Sequence, residues 1–81
     1  MLVIPRKSKE VLDEDTAIRI AVTAGISAYG KKLIESEFPF FASLEGISWV
    51  VSGTSQDFAK GVLEAKISKK DGRIVSITHN Q

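Results

Sequence analysis

The chain of 81 residues contains no cysteine. That absence excludes disulfide frameworks, thiolate metal sites and thiol nucleophiles together, so packing alone must hold the fold, and it suits a reducing compartment. Histidine, tryptophan and tyrosine each occur once, at His79, Trp49 and Tyr29. A lone histidine among scattered carboxylates gives no ligand set of metal-binding spacing, and no serine sits in an elbow or triad pattern. No metal, no cofactor and no catalysis are expected. Charge of one sign is also missing: eleven Lys and Arg stand against ten Asp and Glu, which leaves no field to hold nucleic acid or a membrane surface. Long apolar runs are absent. Leu2-Val3-Ile4 stops at Pro5 and is followed by Arg6 and Lys7, too short for a membrane span and with its charge on the wrong side for a secretion leader. The expected location is the cytoplasm, or the periplasm if a leader has been removed.

What is present describes one small domain. A chain of this length buries only about 60% of the surface it exposes when unfolded, which leaves little room for a deep active site. Residues 1–12 mix a short apolar start with Arg6, Lys7, Lys9 and Glu10 and read as an extended arm; residues 13–81 read as a single α+β domain. Asp13-Glu14-Asp15-Thr16 supplies a capping side chain and first-turn negative charge, so a helix begins there. Ile18, Ile20 and Val22 alternate as in a strand. At the helical angle, however, Arg19, Thr23 and Ser27 fall on one narrow polar stripe opposite Ala17, Ile18, Ala21, Val22, Ala24, Gly25, Ala28 and Tyr29, and the helix is preferred. The small residues Ala21, Gly25 and Ala28 suit close approach to a sheet. Gly30 ends or kinks the helix, and a further short turn is expected over Lys31 to Glu37.

After Pro39 the texture changes to strands, expected over Phe40 to Leu44, Ile47 to Ser52, Gly61 to Ser68 and Arg73 to Thr78. Glu45-Gly46 and Asp71-Gly72 have hairpin-turn chemistry, which predicts an antiparallel meander. Ile47, Trp49 and Val51 share one face, as do Leu63, Ala65 and Ile67; Glu64, Lys66 and Ser68 point away. The predicted architecture is an N-terminal helix packed on a curved antiparallel sheet of three to four strands.

The polar residues admit mostly structural readings. His79 reads as a solvated residue at a strand end, and Glu35 and Glu37 as surface carboxylates. Gly53-Thr54-Ser55 lacks the spacing and lysine of a phosphate loop. Lys60, Lys66, Lys69, Lys70 and Arg73 gather around one hairpin and read as a solubilising rim that protects a sheet edge. Trp49, mid-strand, reads as core. The connection from Gly53 to Lys60 is longer than a tight hairpin needs, and places Gln56, Asp57, Phe58 and Lys60 as candidate partner contacts. A compact sheet without catalytic residues points to a protein-binding module.

The order of features resembles a family, the bacterial immunity proteins with a nuclear-transport-factor-2-like (cystatin-like) fold, which pair with polymorphic toxins. The likeness runs through Thr16-Ala17-Ile18, Ile20-Ala21, Tyr29-Gly30, Pro39-Phe40, Trp49-Val50-Val51-Ser52-Gly53-Thr54, Gly61-Val62, Lys69-Lys70-Asp71-Gly72-Arg73-Ile74-Val75 and Thr78-His79, covering roughly residues 12–80. The chain departs from the pattern at Lys60-Gly61, where two glycines belong. The resemblance implies a non-catalytic protein that binds and neutralises a cognate toxin. Two other readings stay open: a small-molecule pocket between helix and sheet, and a regulatory or inhibitory module resembling PepSY or cystatin-like domains.

Overall fold

The computed structural model describes residues 10–55 and 61–79. Helix α1 (Glu14–Tyr29) begins where Asp13, in extended conformation, accepts a hydrogen bond from the Thr16 N–H at 2.7 Å. This satisfies one of the free donors of the first turn, and Glu14 and Asp15 place further negative charge at the positive end of the helix dipole. The helix stops at Gly30, whose φ of 99° lies outside the range an L side chain readily adopts. A short helix α2 (Lys31–Glu35) follows directly.

Four strands then form one sheet in chain order, every pair antiparallel: β1 (Phe41–Glu45), β2 (Ser48–Ser52), β3 (Leu63–Ser68) and β4 (Ile74–His79). Gly46 and Gly72 have positive φ at the two tight turns, as hairpin geometry requires. The register aligns Ala42, Val51, Ala65 and Ile77 across the sheet, with Leu44, Trp49 and Ile67 one step along on the same face. The opposite face carries Ser43, Val50, Lys66 and Ser76, and no described element covers it. The arrangement is an α+β fold with an open antiparallel sheet.

The core lies between α1 and the inner face. Ala17, Ala21 and Gly25 are the buried helical residues, spaced four apart on one stripe, which brings them against the sheet. A Cβ on Gly25 would lie 2.9 Å from Leu63 Cδ2 and 3.1 Å from Ile34 Cδ1, so the missing side chain lets backbone and sheet approach. Ala28, expected on this stripe, is exposed, because it falls one turn beyond the residues that meet the sheet. Ile47, expected to share the Trp49 face, is 77% exposed because it belongs to the β1–β2 turn. Residues 10–12 join the domain: Val11 is buried, its N–H donates to the Lys69 carbonyl and its carbonyl accepts from Trp49 Nε1 at 2.8 Å. The tryptophan thus buries its ring while its one donor is satisfied.

Candidate functional site

At the end of the sheet where β3 begins and β4 finishes, two residues read from the sequence as solvated are buried together. Glu37 and His79 have side-chain exposures of only 5% and 6%, and Glu37 Oε2 lies 2.5 Å from His79 Nε2. Facing a carboxylate oxygen, the ring nitrogen is the donor. The other carboxylate oxygen, Oε1, accepts the Leu63 N–H at 2.7 Å. Leu63 and His79 are register partners at the last rung between β3 and β4, so one carboxylate closes that rung from above. The Tyr29 ring packs at 5.5 Å from the His79 ring and brings in the end of α1. The expectation of a solvated His79 and a surface Glu37 is therefore corrected. Glu35, two residues away at the last position of α2, is exposed.

The same residue anchors two loops. The Glu37 carbonyl accepts the Thr54 N–H at 2.8 Å, the Thr54 hydroxyl donates to the Pro39 carbonyl at 2.7 Å, and the Gly53 N–H donates to the Leu63 carbonyl at 3.0 Å. Gly53 has no room for a side chain: a Cβ would lie 2.5 Å from Glu37 Oε1 and 3.0 Å from Phe40 Cε2. The segment 37–40, with its cis Phe38-Pro39 peptide, is thereby laced to the start of the connection between β2 and β3.

That lacing presents aromatic surface. Phe40 is buried, while Phe38 packs edge-on against it with ring centroids 5.1 Å apart and remains 52% exposed. Phe41, beside Ser52 in the register, is 64% exposed. The sequence candidates Gln56, Asp57, Phe58 and Lys60 lie outside the described residues, but the segments that flank them, 53–55 and 61–62, leave from this same end of the sheet. Sequence reasoning read Glu37 as a surface carboxylate and passed over Phe38 and Phe41. A usable signal was present, since Phe38, Phe40 and Phe41 are half of the chain's six aromatics crowded into four positions. Away from this end, Asp71 accepts from the Arg73 N–H at 3.0 Å, which holds its carboxyl below the usual carboxylate range. Lys66 and Lys70 are exposed and Lys69 is half-buried around that same hairpin. Among the described residues no group of three or more His, Cys, Asp and Glu side chains is placed to hold a metal ion, and no helix is long and apolar enough to cross a membrane.

Comparison with known proteins agrees with this architecture. The uncharacterized protein YhhH of Escherichia coli K12 is 34% identical over 73 residues, which make up 88% of this chain and 58% of YhhH. The chain therefore spans little more than half the length of that relative. No solved structure matches it. The family described as NTF2 fold immunity protein matches residues 16–81, from the first turn of α1 to the end of the chain. Over residues 16–81, and with a helix and open antiparallel sheet consistent with such a fold, the chain belongs to the NTF2-fold immunity protein family.

Proposed function

We propose that the protein neutralises a cognate bacterial toxin by binding it, without catalysis, through the end of the sheet that carries Phe38, Phe41 and the 53–62 connection. The observation that carries this reading is the pair of exposed phenylalanines held at the start of β1 by the Glu37 and Thr54 hydrogen bonds. Large aromatics left in water are costly to an isolated protein and are enriched at the centres of protein interfaces. A scaffold that spends a buried carboxylate on fixing their position presents a preorganised patch, which lowers the ordering cost of association. Gln56, Asp57, Phe58 and Lys60, in the adjoining connection of the sequence, are proposed as further toxin contacts. A stable complex needs about 800 Å² from each partner.

The test is co-expression of the toxin encoded beside this gene with wild-type and variant chains. Phe38→Ser with Phe41→Ser is expected to abolish rescue of growth and co-purification while the circular dichroism spectrum is retained. Asp57→Ala with Phe58→Ala is expected to weaken both. Full protection by both double variants would remove this surface from consideration.

A further inference from the structure

Charge around the aromatic site cancels at short range. Phe41 lies on the uncovered face of the sheet, at the rung it shares with Ser52, Glu64 and Thr78, and the next rung carries Ser43, Val50, Lys66 and Ser76. Glu64 and Lys66 are both exposed and stand two residues apart on the same face of β3. That spacing is about 7 Å along a strand, inside the screening length of about 8 Å at physiological salt, so each offsets the field of the other. On α2, which leads into Phe38, Lys31 and Lys32 are accompanied by Glu35, whose carboxylate lies 3.9 Å from Lys31 Nζ. In the sequence, the connection from β2 to β3 adds one charge of each sign, Asp57 and Lys60. Glu37 is buried against His79 and presents no charge to the surface. The rings, by contrast, stand clear. The neighbours of Phe41 on its face, Ser43 along the strand and Ser52 across it, are short, and the ring projects past them, 64% exposed. Phe38 leans edge-on against buried Phe40 and keeps 52% of its surface in water.

We propose that the toxin surface fitted by this site is an uncharged apolar hollow that receives Phe38 and Phe41, separate from any cleft in which the toxin holds a polyanion. The inference rests on the reading of this end of the sheet as the toxin contact. A cleft that binds nucleic acid or another polyanion is basic, and a protein that fills it in the substrate's place must present a matching block of carboxylates. The site has no such block, since its exposed acids Glu35 and Glu64 each have a lysine beside them. The whole chain repeats the local balance with a formal net charge of +1, which gives no long-range steering toward a charged partner. A projecting ring gains most by entering a dry concave pocket, where the walls of the partner replace water over its faces. Such a pocket rejects charge of either sign, because an ion cannot be desolvated there without a counter-charge. Neutralisation through this site therefore does not mimic a charged substrate.

The experiment is surface plasmon resonance between the full chain and the toxin encoded beside this gene, from about 50 to about 500 mM NaCl. The dissociation constant is expected to change less than about threefold across that range, with an association rate in the unsteered range of about 10⁵–10⁶ M⁻¹s⁻¹. Heparin, added as a polyanion probe, is expected not to displace the chain. Ser43→Lys and Ser43→Glu, at an exposed position beside Phe41 on the open face, are each expected to weaken binding at least about tenfold. A response that follows the sign of the new charge, or no response to either, overturns the proposal. So does a loss of affinity of about tenfold or more between the lowest and highest salt, or displacement by heparin. Phe38→Ser with Phe41→Ser separates the two readings. Loss of binding in that variant together with steep salt dependence in the wild type leaves the site standing and removes the apolar hollow, whereas retained binding removes both.

Discussion

Replacing Glu37 by alanine tests the buried carboxylate most directly. The substitution leaves two buried donors without their acceptor, the Leu63 N–H and His79 Nε2–H. Each orphaned group costs about 1–3 kcal/mol, more where the lost partner is charged, and breaking a buried pair by removing one member typically costs about 3–5 kcal/mol. At roughly 0.05–0.15 kcal/mol per residue, a domain of this size has about 4–12 kcal/mol in total. Glu37→Ala is therefore expected to remove roughly a quarter or more of the stability and to lower Tm by about 12–40 °C. Glu37→Gln is expected to be much milder. Its amide oxygen still accepts from Leu63, and its NH2 donates to Nε2 of the other His79 tautomer. Urea unfolding followed by the fluorescence of Trp49, the chain's one tryptophan, gives both values and checks that the m-value is unchanged. A double-mutant cycle with His79→Phe isolates the pairwise coupling. A loss below about 1 kcal/mol for Glu37→Ala, the value for an exposed carboxylate, would refute the reasoning.

Gly53→Ala is expected to destabilise by about 1–3 kcal/mol through the clash of its Cβ with Glu37 Oε1 and Phe40, measured by the same urea titration. Trp49→Phe keeps an aromatic ring in the core but leaves the Val11 carbonyl without its donor, and about 1–3 kcal/mol is expected from thermal unfolding followed by circular dichroism. The hydrogen bond from the Thr16 N–H holds the Asp13 carboxyl below its ordinary value of 3.8. Because the folded value is the lower one, the contribution of Asp13 is complete above 3.8 and is lost as pH falls below it. Asp13→Asn keeps the cap without the charge. Its melting temperature is therefore expected to fall less steeply than that of the wild type below pH 3.8.

Most of the fold was legible because its signals are local. Asp13 at the cap, Gly30 at the helix end, and Gly46 and Gly72 at the turns each dictate backbone conformation within a few residues, and strand alternation sorted Val51, Leu63, Ala65 and Ile67 onto the buried face. Errors occurred where position along an element mattered more than its period. Ala28 has the right helical angle but lies past the sheet, and Ile47 has the right parity but sits in the turn. The candidate site was legible only in part. A connection too long for a hairpin pointed to residues 56–60, while Phe38 and Phe41 on either side of Pro39 and Phe40 were not singled out.

By itself the sequence determined the secondary structure, the antiparallel meander and the resemblance to immunity proteins, because caps, turns and side-chain alternation act between near neighbours. Only the tertiary structure decided that Glu37 and His79 are buried together. Those residues are 42 apart in the chain, and a carboxylate reads as surface until the fold supplies the two donors that make its burial tolerable. The same long-range contacts hold the segment from Glu37 to Pro39 against the start of the connection from β2, through the Thr54 hydrogen bonds to the Glu37 and Pro39 carbonyls.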